Sequence, residues 1–138
     1  MARFDTTGLE DLVRQMRKLG QDEGPVAEEM VNAAVDVIKD EWKKAAEAHG
    51  HVETGSMINN IRPAGKAPVR AGNLIYRDVY PQGKDAKGVS NAKKASILHY
   101  GKSNLQGDYW VDEADKNSAE PVQAVCEAIW DRFIQEHG

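Results

Sequence analysis

The chain has 138 residues, 41% of them hydrophobic and 29% charged, with a net charge of -4, a size and balance that suit one domain able to bury a core without covalent staples. Its single cysteine, Cys126, excludes an intrachain disulfide and a cysteine-based zinc site. No apolar run approaches the roughly 18 to 20 residues of a membrane span, and residues 1–14 lack the basic flank and apolar stretch of a leader peptide, so a soluble chain of a reducing cytoplasm is expected, with no membrane partner.

The net charge is distributed in blocks. Residues 1–60 carry 7 basic and 12 acidic side chains, residues 61–104 carry 9 basic and 2 acidic, and residues 105–138 carry 2 basic and 8 acidic. The acidic total argues against a free nucleic-acid binder, whereas the segregation predicts complementary surfaces that meet something else.

In chain order, residues 7–19 place Leu9, Leu12, Val13, Met16 and Leu19 at helical spacing before Gly20, which predicts a short amphipathic helix. Pro25 then suits the first turn of a long helix over 25–49 that stops at Gly50 and measures about 36 Å at 1.5 Å per residue. Two adjacent stripes, one from Val26 to Val37 and one from Val31 to Ala45 through Trp42, give this helix an apolar arc wider than one layer requires. It must therefore touch two things, such as a sheet and either another helix or another subunit.

From Gly50 to Gly72 the punctuation by Gly and Pro predicts turns and short strands, giving a strand region over 61–80. Its best strand is Asn73 to Tyr80, with a hairpin turn at 71–73; because neither face alternates cleanly, an edge or interface strand is expected. Residues 81–91 are read as a mobile loop, and 92–100 as a short segment leaning helical. Ser118 is the expected cap of the last helix, 118–136, with Pro121 in its first turn and a clean stripe of Val122, Val125, Cys126, Ile129, Trp130 and Phe133. The fold class is α+β: a long N-terminal helix and a C-terminal helix packed on a small, mostly antiparallel sheet, in one domain spanning 1–138.

Chemistry-bearing patterns are sparse. His49, His51 and Glu53 are three potential metal ligands within five residues at a helix end, but the spacing that puts two imidazoles on one helix face is absent and no distant fourth ligand is apparent; dipole-stabilised histidines are the simpler explanation. Cys126 and His99 are a conceivable nucleophile and base, yet Cys126 lies on an apolar stripe. Asp112, Glu113 and Asp115, or Asp36 and Asp40, read as solvated or helix-start charges. No phosphate-binding loop or nucleophile elbow occurs. No catalytic residue, metal or cofactor is therefore assigned. Arg70, Arg77, Lys84, Lys87, Lys93 and Lys94 are the one feature with nucleic-acid character, and with Trp42 they form the candidate interface set.

Two motifs carry a resemblance. Thr54-Gly55-Ser56-Met57-Ile58-Asn59-Asn60-Ile61 and Ala95-Ser96-Ile97-Leu98-His99-Tyr100-Gly101-Lys102-Ser103 resemble segments of the tail-component family of tailed bacteriophages, whose members act in head-tail joining or tail completion. Thr54, Gly55, Ile61, Tyr100 and Gly101 match the family pattern, His99 replaces its glutamate, and Tyr109, Trp110 and Ala114 stand where its last region begins with an aromatic and an alanine. The resemblance spans about Pro25 to Gln135. It implies a structural virion protein and not an enzyme, a ring of six copies at the neck or tail end, contacts with connector and tail-tube proteins, and a place in the virion after assembly in the host cytoplasm. Gly55 and Gly101 are expected to take positive φ or allow close backbone approach, with Thr54 as a cap and Tyr100 anchoring its junction against the core. Two other classes compete: a small sequence-independent DNA-binding module using the basic middle, and a metal-dependent nuclease using His49, His51 and Glu53.

Overall fold

The computed structural model describes residues 2–5, 23–53, 55–71 and 74–137. The helix expected over 7–19, the cap Thr54 and the hairpin residues Gly72 and Asn73 lie outside the described residues. The architecture is α+β. Strand β1 (Ala2–Asp5) precedes helix α1 (Glu23–Ala48), one-turn helix α2 (Ser56–Asn59) and strands β2 (Ile61–Pro63), β3 (Val69–Ala71) and β4 (Leu74–Pro81). Helix α3 (Asn91–Tyr100), the hairpin β5 (Gly101–Lys102) and β6 (Leu105–Gln106), and helix α4 (Trp110–His137) complete the chain.

Strand β4 is the centre of the sheet. It pairs antiparallel with β1 through Ala2↔Val79 to Asp5↔Tyr76, with β2 through Ile61↔Pro81 to Pro63↔Val79, and with β3 through Val69↔Tyr76 to Ala71↔Leu74. The expectation of an edge strand is thus corrected. Its uneven pattern has a local cause at Arg77, which follows the buried Ile75 and precedes the buried Val79 on one face. The guanidinium donates to Asn32 Oδ1 of α1 at 3.1 Å and to the carbonyls of Ala64 at 3.0 Å and Gly65 at 2.8 Å. Paired in this way, the charge replaces a core side chain without leaving its donors unsatisfied.

The wide apolar arc of α1 is consumed inside the subunit. Ala27, Val31, Val35, Ile38 and Trp42 join Met57, Ile58, Ile61, Ile75, Val79, Ala95, Trp110 and Ala114 in one cluster. Val26 and Met30 meet Cys126, Ile129 and Phe133 of α4 in a second. Among the described residues, sheet and helix together cover most of the arc, with Ala33 and Val37 left half-buried. Trp42, 1% exposed, meets the Trp110 ring edge to face at 5.5 Å and donates through Nε1 to Asp115 at 3.2 Å. Its assignment to an interface is corrected to the core.

Helix α4 starts eight residues before the expected boundary. Ser118 is an interior residue whose hydroxyl donates to the Ala114 carbonyl at 2.7 Å, and Pro121 lies within the helix. The local start signals at Ser118 and Pro121 are overridden because Trp110 and Ala114 are fully buried and extend the packing of the helix about two turns toward its N-terminus. The helices run antiparallel, with Trp110 beside Trp42 at one end and an Arg132–Glu29 ion pair at the other.

The segment 81–91 is folded into a tied turn. Asp85 Oδ1 accepts the Lys87 and Val89 N–H groups at 2.9 Å each, its other oxygen pairs with Lys94, and Lys84 bridges Ser90, whose hydroxyl caps α3 by accepting from Lys93 N. The Lys94 ammonium first, and then the Val89 and Lys87 N–H groups, hold the Asp85 carboxyl below its ordinary range. A carboxyl lowered in the folded state adds stability above its unfolded pKa, and that contribution is lost as pH falls through the folded value. Lys94→Met is expected to move the Asp85 titration upward, read from its carboxyl resonance by NMR; an unmoved titration would show that the pair is not made in solution.

Candidate functional site

The C-terminus of α1 sets up the most concentrated group of chemistry-bearing side chains. Gly50 takes φ 76°, Gly50 N–H donates to Glu47 O at 3.0 Å and His51 N–H reaches back to Ala46 O at 2.8 Å. This is a Schellman ending, in which a glycine in the left-handed region turns the chain back over the last carbonyls. It brings the imidazoles on either side of Gly50 to a ring separation of 6.0 Å at 26°. The spacing His-Gly-His is thus the consequence of a helix stop.

From the far end of the sequence, Asp108 comes to meet them. Its Oδ1 accepts the Trp110 N–H at 3.1 Å and so caps α4, leaving Oδ2 to face His51 Nε2 at 2.6 Å and His49 Nδ1 at 3.1 Å. The remaining nitrogen of His49, Nε2, is hydrogen-bonded to Glu113 in the first turn of α4. The hydrogen bond to Glu113 raises the His49 pKa above its ordinary value, burial opposing it and Asp108 adding to it. Burial pushes the Asp108 carboxyl up, but His51, the Trp110 N–H and His49 together outweigh it and hold it low. The His51 ring also meets Trp110 edge to face at 5.9 Å, which ties the group to the core.

The sequence candidates are distributed as follows. His49 and His51 come together, whereas Glu53 is exposed and lines a shallow pocket with Gly50, His51, Gly55, Met57, Lys94 and Leu98. Asp108 takes the place expected of Glu53. Cys126 is buried in the α1–α4 cluster with its thiol pushed up by burial, and His99 Nδ1 accepts the Val111 N–H at 3.3 Å, so the two form no catalytic pair. Arg70 pairs with Glu28 at 3.0 Å, Arg77 is an internal tie, and Lys94 is held by Asp85. Lys84, Lys87 and Lys93 are exposed on the tied turn and at the start of α3. Gly55 and Gly101 take φ 75° and 88°, as expected, and Ile61 is fully buried.

Tyr100 does the opposite of anchoring a junction. It is 69% exposed, because Ala95 and His99 turn inward one helical turn apart and the next residue points out. Tyr109 is 53% and Leu105 41% exposed. The rings of Tyr100 and Tyr109 meet His99 edge to face at 4.4 and 4.9 Å. Beside them a groove of about 370 Å³ runs over Trp42, Tyr80, Pro81 and His99 toward Asp112 and Asp115. Burial raises the Asp115 carboxyl, against the opposing hydrogen bond from Trp42.

Sequence reasoning missed Asp108 and Glu113 as partners of the histidines, since they lie 57 and 64 residues away from them. The only local signal was the acid-rich start Asp108 to Glu113, which marks a helix N-terminus but not what faces it. Among the described residues no helix is long and apolar enough to cross a membrane. No family model, curated protein or solved structure matches the chain.

Proposed function

We propose that the chain is a structural morphogenesis protein of a tailed phage or prophage, assembling as a ring of six copies at the neck or tail end between connector and tail-tube proteins. The observation that carries this reading is the exposed apolar end formed by Tyr100, Leu105 and Tyr109 around the β5–β6 hairpin. Two exposed tyrosines and a leucine near one another in the chain, the tyrosine rings in contact, suit a protein contact better than solvent. It lies at the Tyr-Gly motif of the phage tail-component resemblance. The order of long helix, Gly55 turn, strands, Gly101 turn and terminal helix supports the same reading.

The charged blocks serve this role in a reduced form. Arg70, Arg77 and Lys94 are paired within the subunit, so of the six basic candidates Lys84, Lys87 and Lys93 are the ones offered to an acidic neighbour. In a closed ring each copy presents one face to the next, and an apolar patch flanked by charge provides contact area and register.

Concentrated protein, or protein mixed with its connector, is expected to form rings visible by electron microscopy. The triple variant Tyr100→Ser, Leu105→Ser, Tyr109→Ser is expected to remain folded and to lose them. A strict monomer whose deletion leaves particle assembly intact overturns the reading. Duplex binding that weakens steeply with salt and vanishes in Lys84→Glu, Lys87→Glu, Lys93→Glu would favour the DNA-binding module instead.

A further inference from the structure

We propose that His49, His51 and Asp108 form a binding site for one divalent first-row transition metal ion, with Glu113 as the residue that positions His49. One ligand atom from each of the three residues lies within 4.8 Å of the others. The separations from Asp108 Oδ2 are 3.1 Å to His49 Nδ1 and 2.6 Å to His51 Nε2. Ligands held at about 2.0 to 2.2 Å from a common ion stand roughly 3 to 3.5 Å apart, so Asp108 Oδ2 would draw back from His51 Nε2 by roughly 0.4 to 0.9 Å to admit the metal, with the two imidazoles turning toward the same point.

The hydrogen-bond arrangement around His49 points the same way. Both of its ring nitrogens face carboxylate oxygens, which only accept. With a metal on Nδ1, the ion takes the place of one ring hydrogen, whose proton leaves to solvent, and Nε2 keeps its N–H for Glu113. This is the carboxylate–histidine–metal relay that fixes the tautomer and orientation of a ligand. Asp108 is held in turn by the Trp110 N–H on its other oxygen, so two of the three ligands have an outer partner.

The donor set selects the class of ion. Two imidazoles and one carboxylate suit zinc, cobalt or nickel, whereas magnesium and calcium prefer oxygen ligands throughout. Three protein ligands leave at least one coordination position for water. The ion would join the end of α1 to the entry of α4, which are tied at this end by the Trp42–Trp110 contact. The site is independent of the assembly role and stands or falls without it.

The test uses the full chain, stripped with chelator and titrated with zinc by calorimetry. One ion per chain is expected, with a rise in melting temperature on saturation. His51→Asn and Asp108→Asn are each expected to weaken binding at least about tenfold, Glu113→Gln by about tenfold, and Glu53→Gln not at all. Magnesium in equal excess should displace no zinc. Circular dichroism checks that each variant folds; if Asp108→Asn does not, the wild-type chain still decides, since zinc must shift the imidazole nitrogen resonances of His49 and His51 and leave those of His99 in place. Absence of saturable binding at one equivalent overturns the site. So does affinity unchanged in both ligand variants, or a loss in Glu53→Gln equal to theirs.

Discussion

Trp110→Ala is expected to lower the free energy of unfolding by about 3 to 5 kcal/mol, the range for removing a large aromatic from a core, measured by chemical denaturation. Trp110 is fully buried at the meeting of three elements. Its ring touches Trp42 of α1 and His51 beyond it, and its Nε1 donates to the Ala95 carbonyl of α3 at 3.4 Å. Alanine would leave a cavity lined by groups that belong to separate elements and cannot close over it together, and the carbonyl of Ala95, an interior residue of α3, would lose its indole donor. Since domains are typically stable by about 5 to 15 kcal/mol in all, such a loss is a large fraction of the total. A loss below about 1 kcal/mol, the level of an ordinary surface substitution or mild repacking, would show that α4 does not dock through this residue.

Gly101→Ala is the second large effect, on the order of 3 kcal/mol, from backbone strain of about 1 to 3 kcal/mol and a steric clash added to it. Gly101 has φ 88° and ψ -177°, a region nearly restricted to glycine. An added Cβ would stand 2.5 Å from Gly107 N and 2.6 Å from the Leu105 carbonyl oxygen. Both obstacles are backbone, so no rotamer relieves them, and the β5–β6 pairing of Gly101 with Gln106 must open. Hydrogen exchange should show lost protection across 101–107. Gly88→Ala, with φ 81° and nothing within 4 Å of its added Cβ, carries the strain alone and should cost visibly less. Equal losses in the two variants would remove the close approach as the reason for glycine at 101.

The assembly reading and the Gly101 prediction meet at the same place. The hairpin that Gly101 permits carries Leu105 outward and brings the rings of Tyr100 and Tyr109, which flank it in the chain, edge to face at 6.3 Å. A variant that opens the hairpin should therefore lose ring formation under conditions where the rest of the subunit is still folded. The metal site, by contrast, lies where α1 ends and α4 begins and draws on Asp108 just beyond the hairpin.

Much of the architecture was legible because it rests on local rules. Pro25 and Gly50 bracket α1, starting two residues after its observed start, and the helical lean of 92–100 matches α3, whose Ser90 cap only the structure shows. The α4 boundary was misread because Ser118 and Pro121 are start signals in any isolated segment, while the contact that carries the helix back to Trp110 comes from α1. Trp42 and Arg77 were assigned to a surface for a related reason. A wide apolar arc and an irregular strand look unpartnered until sheet, α1 and α4 are assembled around them, after which Trp42 is core and Arg77 is a tie between β4, α1 and the 64–65 turn.

By itself the sequence determined the α+β class, the long helix, and Gly55 and Gly101 as positions that call for glycine, because periodicity and positive φ are properties of a few consecutive residues. It also placed His49 and His51 on either side of a helix stop. Only the tertiary structure decided which charges are spent inside the subunit, which aromatics face outward, and that Asp108 and Glu113 meet the two histidines. The histidine contacts span 57 and 64 residues and the Arg70 and Arg77 contacts with α1 span 42 and 45, and packing between distant elements carries no mark in the local pattern of either one.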